Sequence, residues 1–315
     1  MLLFLQHVEA INVYVRSAAG AITELANVSV RYQSGSSRAD RQMTQRYVAA
    51  HSPALLAWLA DSTDEAETDA SGSVSGTGDI DAVRPDGPPA AASCTYSFDI
   101  VSRLYTCTGT EPAPSTSTPG LGPPRERSIV TSRWLVHATV EPSQRQLAVS
   151  LNAPFCWSSV AVSLNADGAG DIGTSARPLK GSCYCFLPLP IETGLPIHVH
   201  GSFVLTQNRR SLWAGGGQSG VGKEKSEWNR IIIEELLPRC YARALAQCTQ
   251  HVNAEGAATL FDVWPCEASV QAPFAPLLTG LLEQIVAGGH KLFHEPVSGL
   301  WHSIGKVTLA HAGVA

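Results

Sequence analysis

Charge is scarce in this chain. Asp, Glu, Lys and Arg make up 16% of its 315 residues, against ~25% in an ordinary soluble domain. The formal net charge is -5 and the basic residues are scattered, so no positive field draws in phosphate backbones and nucleic acid is a poor partner. Long apolar runs are also lacking. No stretch reaches the ~18–20 residues of a membrane helix, so a helical membrane span is not expected. The opening Met1-Leu-Leu-Phe-Leu-Gln-His-Val8 has no positive charge before its apolar run. That run breaks at Gln6, short of the ~7–15 residues of a secretory signal. A start cut from a longer chain is the expectation.

Chemical motifs are missing as well. The eight cysteines, at 94, 107, 156, 183, 185, 240, 248 and 266, include no CxxC. They read as reduced, partly buried thiols of a cytoplasmic protein. The Cys183-Tyr-Cys185 pair is expected to point to opposite faces of a strand. His198 and His200 alternate along a strand and share one face, but no third and fourth ligand stands at suitable spacing, so no metal is assigned. No Gly-x-Ser-x-Gly elbow or other nucleophile motif is present, so no catalytic residue is assigned and the chain is read as not an enzyme.

What is present divides by composition. Ile11–Arg16 and Ala21–Tyr32 read as strands after a short apolar helix, with a turn at Ser17–Gly20. Arg38–Leu59 has a helical pattern that Pro53 interrupts. Residues 61–92 are acidic and rich in small residues, and 109–127 are rich in Pro, Ser and Thr. Neither segment has the aliphatic residues to offset its ordering entropy, so both read as disordered inserts. Cys94–Cys107 reads as a strand or hairpin, Arg127–Val140 as strand-rich, and Trp157–Leu164 as a further candidate strand. Helical periodicity takes over in Ser226–Gln250, where Pro238 should kink or split the helix, and continues at Ala257–Val263 and Pro273–Val286. The fold class is therefore α+β, with a strand-rich mixed-sheet part over 1–222 and a helical part over 223–315.

Two glycine motifs imitate nucleotide sites. Gly217-Gln-Ser-Gly-Val-Gly222-Lys223 satisfies the GxxxxGK part of a phosphate loop. Its next residue is Glu224, which cannot hold magnesium as a Ser or Thr would, and no apolar strand leads directly into it. A glycine loop entering a helix capped by Ser226 is the alternative. Asp167–Gly173 approaches the glycine box of histidine-kinase-like ATPases, but its order is wrong and a turn is expected.

One block stands apart. Tyr184-Cys-Phe-Leu-Pro-Leu-Pro-Ile-Glu-Thr-Gly-Leu-Pro-Ile-His-Val-His-Gly201 continues as Ser202-Phe-Val-Leu-Thr-Gln-Asn-Arg-Arg-Ser-Leu-Trp213, then Gly222-Lys223 and Ser226-Glu-Trp-Asn229. It resembles the signature of the sacsin repeats, which begin with an ATPase domain related to the ninety-kilodalton heat-shock chaperone. The residues that carry the resemblance are Leu187, Pro188, Pro190, Glu192, Thr193, Gly194, Pro196, Gly201, Trp213, Gly222, Lys223, Ser226, Glu227, Trp228 and Asn229. The match continues through the helix Ile231–Tyr241, and weaker similarity appears at Val263-Trp-Pro265, Pro273–Leu282 and Leu292-Phe293 with Ser298-Gly-Leu-Trp301, and upstream at Leu2–Tyr14 and Trp134–Val136.

The resemblance implies a middle-type segment of the ribosomal S5 domain-2 type, lacking the nucleotide-binding domain that would precede it. ATP and magnesium would act only through that upstream domain. It also implies a chaperone-type module that relays nucleotide-driven change, contacts client proteins and works with the seventy-kilodalton heat-shock chaperone. A non-enzymatic protein-interaction scaffold is the alternative. A nucleotide-binding enzyme using the glycine loop ranks third.

The residues suggest physical roles beside it. Pro188, Pro190 and Pro196 hold the chain extended, Gly194 allows a turn, and Ile197–Leu205 forms a strand. Asn208, Arg209 and Arg210 then make a candidate anion or inter-domain contact. The alternative is that one arginine is solvated and the other pairs with Glu227 or Glu234. Trp213, Trp228, Trp264, Phe274 and Trp301 read as packing anchors.

Overall fold

The computed structural model describes residues 2–5, 8–16, 20, 22–44, 46–47, 92–106, 125–153, 155–164, 179–214, 220–252 and 257–307. Most of both inserts, Asp167–Gly173 and the glycines at 215–217 lie outside them. Where the inserts do overlap, their bounds need correction. Ala92 pairs with Val140, and Arg125 pairs with Thr106, so both insert ends belong to strands. Backbone ladders extend past the apolar core because they need no aliphatic side chain to form.

Strands β1 (Ala10–Arg16), β2 (Ile22–Tyr32), β3 (Ala92–Thr106), β4 (Arg125–Glu141), β5 (Cys156–Leu164), β6 (Ser182–Cys185), β7 (Leu187–Glu192) and β8 (His198–Gly201) form one eight-stranded sheet. Its order is β1-β2-β3-β4-β5-β8-β6-β7. All neighbours are antiparallel except β6 and β8. The sheet is mixed and helices follow it, which makes the chain α+β.

Alternation along the strands sorts side chains into two cores. Leu135, Val160, Val162 and Val199 face the helices, while Trp134, Val136, Ala161 and Tyr184 face Leu3 and Phe4 of the opening turn. Cys183 and Cys185 both enter the helix-side core, with Tyr184 on the other side. Residues i and i+2 of a strand share a face, so the expectation of opposite faces for this pair is corrected.

Helices α1 (Arg38–Arg41), capped by Ser37, and α2 (Arg145–Ser150) lie between strands; α2 carries no signal that separated it from the loop. Helix α3 (Val221–Ile231) begins after Gly220, not at Ser226. Ser226 lies inside it, with its hydroxyl donating to the Gly222 carbonyl four residues back, which is how an interior helical serine is satisfied. A π-helical turn (Ile232–Leu236) joins α3 to α4 (Leu237–Cys248). Pro238 stands in the first turn of α4, and the wider turn before it accommodates the missing N–H. The proline therefore splits the helix through one wide turn.

A 3-10 turn (Ala257–Val263) and α5 (Pro276–Ala287) follow. The C-terminal part is not wholly helical, because β9 (Lys291–Glu295) and β10 (Leu300–Ser303) form a second, two-stranded sheet. Phe293 and Trp301 pack this hairpin on the main core. That core takes side chains from both sides of residue 222.

Candidate functional site

The signature residues fall along a seam between the β7 edge of the sheet and α3. β7 is the last strand in the order, and Pro188 and Pro190 are exposed on it while Leu189 is buried. Prolines belong on such an edge, since they offer no N–H to a further strand. Leu187 is half exposed, and the Glu192 side chain is solvated where β7 ends against Ser182.

At Thr193 the chain turns inward. This side chain is fully buried; its hydroxyl donates to the Gly181 carbonyl at 2.9 Å and accepts from the Leu195 N–H at 3.1 Å. The Thr193 carbonyl accepts from the Gln271 N–H at 2.9 Å. Gly194 has φ +69°, and a Cβ there would collide with the Ser269 carbonyl. Thr193 and Gly194 thus pin the sheet edge to the loop that precedes α5. Pro196 is half-buried and leads into β8.

β8 is shorter than expected, ending at Gly201 where the expectation ran to Leu205. Beyond it the chain leaves the sheet for α3, where Asn229 replaces a neighbouring strand. The Asn229 carboxamide oxygen accepts from the Val204 N–H at 2.8 Å. Its amide donates to the Val204 carbonyl at 2.7 Å and to the Trp213 carbonyl at 3.0 Å. Trp228 is completely buried and its indole N–H donates to Ser202 at 2.7 Å. The Trp213 indole donates to the Gly222 carbonyl at 3.1 Å, and the Lys225 ammonium lies 4.7 Å from the Trp213 ring centre. Trp264 is partly buried and Phe274 fully buried against the same core.

Leu205 and Leu212 bridge to close a small loop whose apex is Asn208, Arg209 and Arg210, all exposed. Asn208 builds the loop itself: its side-chain oxygen accepts from the Thr206 hydroxyl at 2.8 Å and the Arg210 N–H at 3.0 Å. Arg209 has φ +56° and its guanidinium reaches the Cys185 carbonyl at 3.4 Å. Glu227 and Glu234 pair with Arg230 instead, at 2.7 and 2.8 Å. That hydrogen bond holds the Glu227 carboxyl below its usual range. Among the described residues neither apex arginine has a carboxylate partner. The two arginines therefore present charge outward.

Lys223 is exposed in the first turn of α3, and the following Glu224 has one buried carboxylate oxygen without a partner among the described residues. His198 and His200 do share a buried face, and each ring has a nitrogen used locally. Ser182 N–H donates to His198 Nδ1 at 3.0 Å, and Phe186 N–H donates to His200 Nε2 at 2.9 Å. Phe4, Trp157 and Phe186 surround the His200 ring. Burial lowers His198 to about 4 and His200 to about 3. Among the described residues, no three His, Cys, Asp or Glu side chains cluster as metal ligands would. Nor is any described helix long and apolar enough to cross a membrane.

Sequence reading placed Asn229 in the block but not its clamp on Val204 and Trp213, because a side chain that mimics a strand leaves no periodic trace. It also missed the polar cleft around His137 and Arg243, residues more than a hundred positions apart that meet only in the fold.

Among characterised proteins, human sacsin is similar to this chain, at 28% identity over 133 residues. The match covers 42% of this chain and 3% of sacsin's own length. The chain therefore contains a sacsin-related region and corresponds to a small part of that protein. No family model and no solved structure matches it.

Proposed function

We propose that this chain is a chaperone-type module of a sacsin-like protein, relaying nucleotide-driven change from an upstream ATPase domain and contacting clients. The observation that carries the reading is the seam. Thr193, Trp228 and Asn229 make buried, hydrogen-bonded links among sheet edge, loop and helices, while Arg209 and Arg210 stand outside them with no carboxylate partner among the described residues. A stiff joint carrying exposed guanidiniums suits the transfer of a shape change from a bound anion. The sacsin-related region supports the choice of chaperone class.

On this reading the module performs no chemistry, and ATP and magnesium are bound upstream. Likeness to the ribosomal S5 domain-2 fold, a cytoplasmic location, client proteins and a seventy-kilodalton heat-shock partner belong to the same proposal. The test uses a longer sacsin-like protein that includes the upstream domain. Replacing both Arg209 and Arg210 by Ala should lower the ATPase rate and blunt nucleotide-linked compaction. Normal values for both would end the relay reading.

A second reading, an interaction scaffold, is favoured by the opposite edge of the sheet. β1 lacks proline and exposes Val13, Tyr14 and Val15 at 46%, 56% and 42%, and such an edge is a template for a partner's strand. An ATPase motif in the sequence upstream of residue 1 would favour the relay over the scaffold.

A further inference from the structure

We propose that the cleft between the β3–β4 hairpin and α4 binds a small oxyanion, a phosphate- or carboxylate-bearing molecule. The cleft holds about 320 Å³, at the lower end of the ~300–1,000 Å³ of ligand pockets. Ser93 and Thr95 of β3, His137 of β4, Arg243 and Gln247 of α4, and His290 after α5 line it.

Arg243 supplies the charge. Its guanidinium donates to the Ser93 hydroxyl at 2.7 Å, which anchors it across the gap between helix and strand. Its other N–H groups meet no acceptor among the described residues. The contrast with Arg239, one turn earlier on α4, is informative, because Arg239 pairs with Glu141 at 2.8 Å. Among the described residues, no carboxylate lines the cleft. Asp40 stands 4.0 Å behind the Cys94 sulfur, and its other oxygen is held by the Ser37 N–H and hydroxyl.

His137 forms the buried floor, with Nδ1 at 2.6 Å from the Thr95 hydroxyl. Burial, and then the Arg243 charge, lower His137 to about 4, and the same two causes lower His290. Both rings are therefore neutral at pH 7; His137 spends its nitrogens on the Thr95 and Thr139 hydroxyls, and His290 adds a hydrogen-bonding group without charge. An exposed guanidinium tethered to Ser93 and flanked by an amide and the His290 imidazole offers the fork geometry that carboxylates and phosphates accept.

The test titrates the full chain with sodium phosphate and, separately, sodium acetate at fixed ionic strength, following backbone amides by NMR. Saturable shifts at residues 93–95, 137, 243–247 and 290, separate from any at the 208–210 apex, are expected with at least one anion, and which anion saturates tells phosphate from carboxylate. Arg243→Gln should weaken binding about tenfold or more, Arg243→Lys should weaken it less, and the control Arg16→Gln, exposed at the far end of β1, should leave it unchanged. Absence of shifts up to about 10 mM of either anion, or equal binding by Arg243→Gln, overturns the proposal. If Arg243→Gln unfolds, the wild-type shift map and Arg243→Lys decide alone, and equal binding by Arg243→Lys would then count against it.

Discussion

At the scale of single residues, Asn229 and His200 show how a buried polar group is made acceptable. Asn229 uses both its donor and acceptor functions on Val204 and Trp213. Asn229→Ala would strand a backbone N–H and two carbonyls, and should cost about 1–3 kcal/mol in denaturant unfolding. His200 illustrates the pH side. Its folded pKa of about 3 lies below the ordinary 6.5, so the unfolded chain takes up the proton first as pH falls. The stability contribution is complete above pH 6.5 and is lost as pH drops towards the folded value. His137 and His198, lowered to about 4, act in the same direction. Stability should fall between pH 6.5 and 5, each histidine adding a slope approaching ~1.4 kcal/mol per pH unit. His200→Gln, whose amide oxygen can accept the Phe186 N–H, should reduce that slope by about one proton in urea unfolding at several pH values. An unchanged slope would mean that His200 is not the group responsible.

At the scale of elements, the joint between α3, α4 and α5 turns on a proline and a glycine. Pro238 has no N–H to offer the Glu234 carbonyl four residues back, and that carbonyl faces Gly280 of α5. A Cβ at Gly280 would sit 2.6 Å from the Glu234 oxygen and 2.9 Å from Pro238. Gly280→Ala should therefore push α5 off the π turn and destabilise by about 1–3 kcal/mol; thermal unfolding checks it, and a neutral result would show that the helices separate freely.

The elements also show what sequence makes legible. Local residue patterns located β1–β5 and the three C-terminal helical segments. Helix α3 was started too late, since Ser226 has the chemistry of a cap but sits one turn inside. The β9–β10 hairpin was hidden because Phe293 and Trp301 gain their burial from a distant core, not from alternation. In the candidate site, the backbone-shaping residues Pro188, Pro190 and Gly194 were readable from their own chemistry. The Asn229 clamp and the Arg243 cleft were not, since both depend on contacts between segments far apart in sequence.

At the scale of the molecule, one core runs from β4 and β5 through Trp228, Tyr241 and Leu281 to Leu292. Sheet edge and helices should then open together, with the seam as their common fastening. Backbone hydrogen exchange of the 315-residue chain, wild type against Asn229→Ala, measures this most directly. The joint predicts that amides of Leu195, Val204, Trp213 and Gln271 exchange through one shared opening with those of α4, and that the substitution lowers protection across the whole set. Residues 187–213 exchanging as unprotected peptide, or a loss confined to Val204 and Trp213 while α4 stays protected, would contradict it.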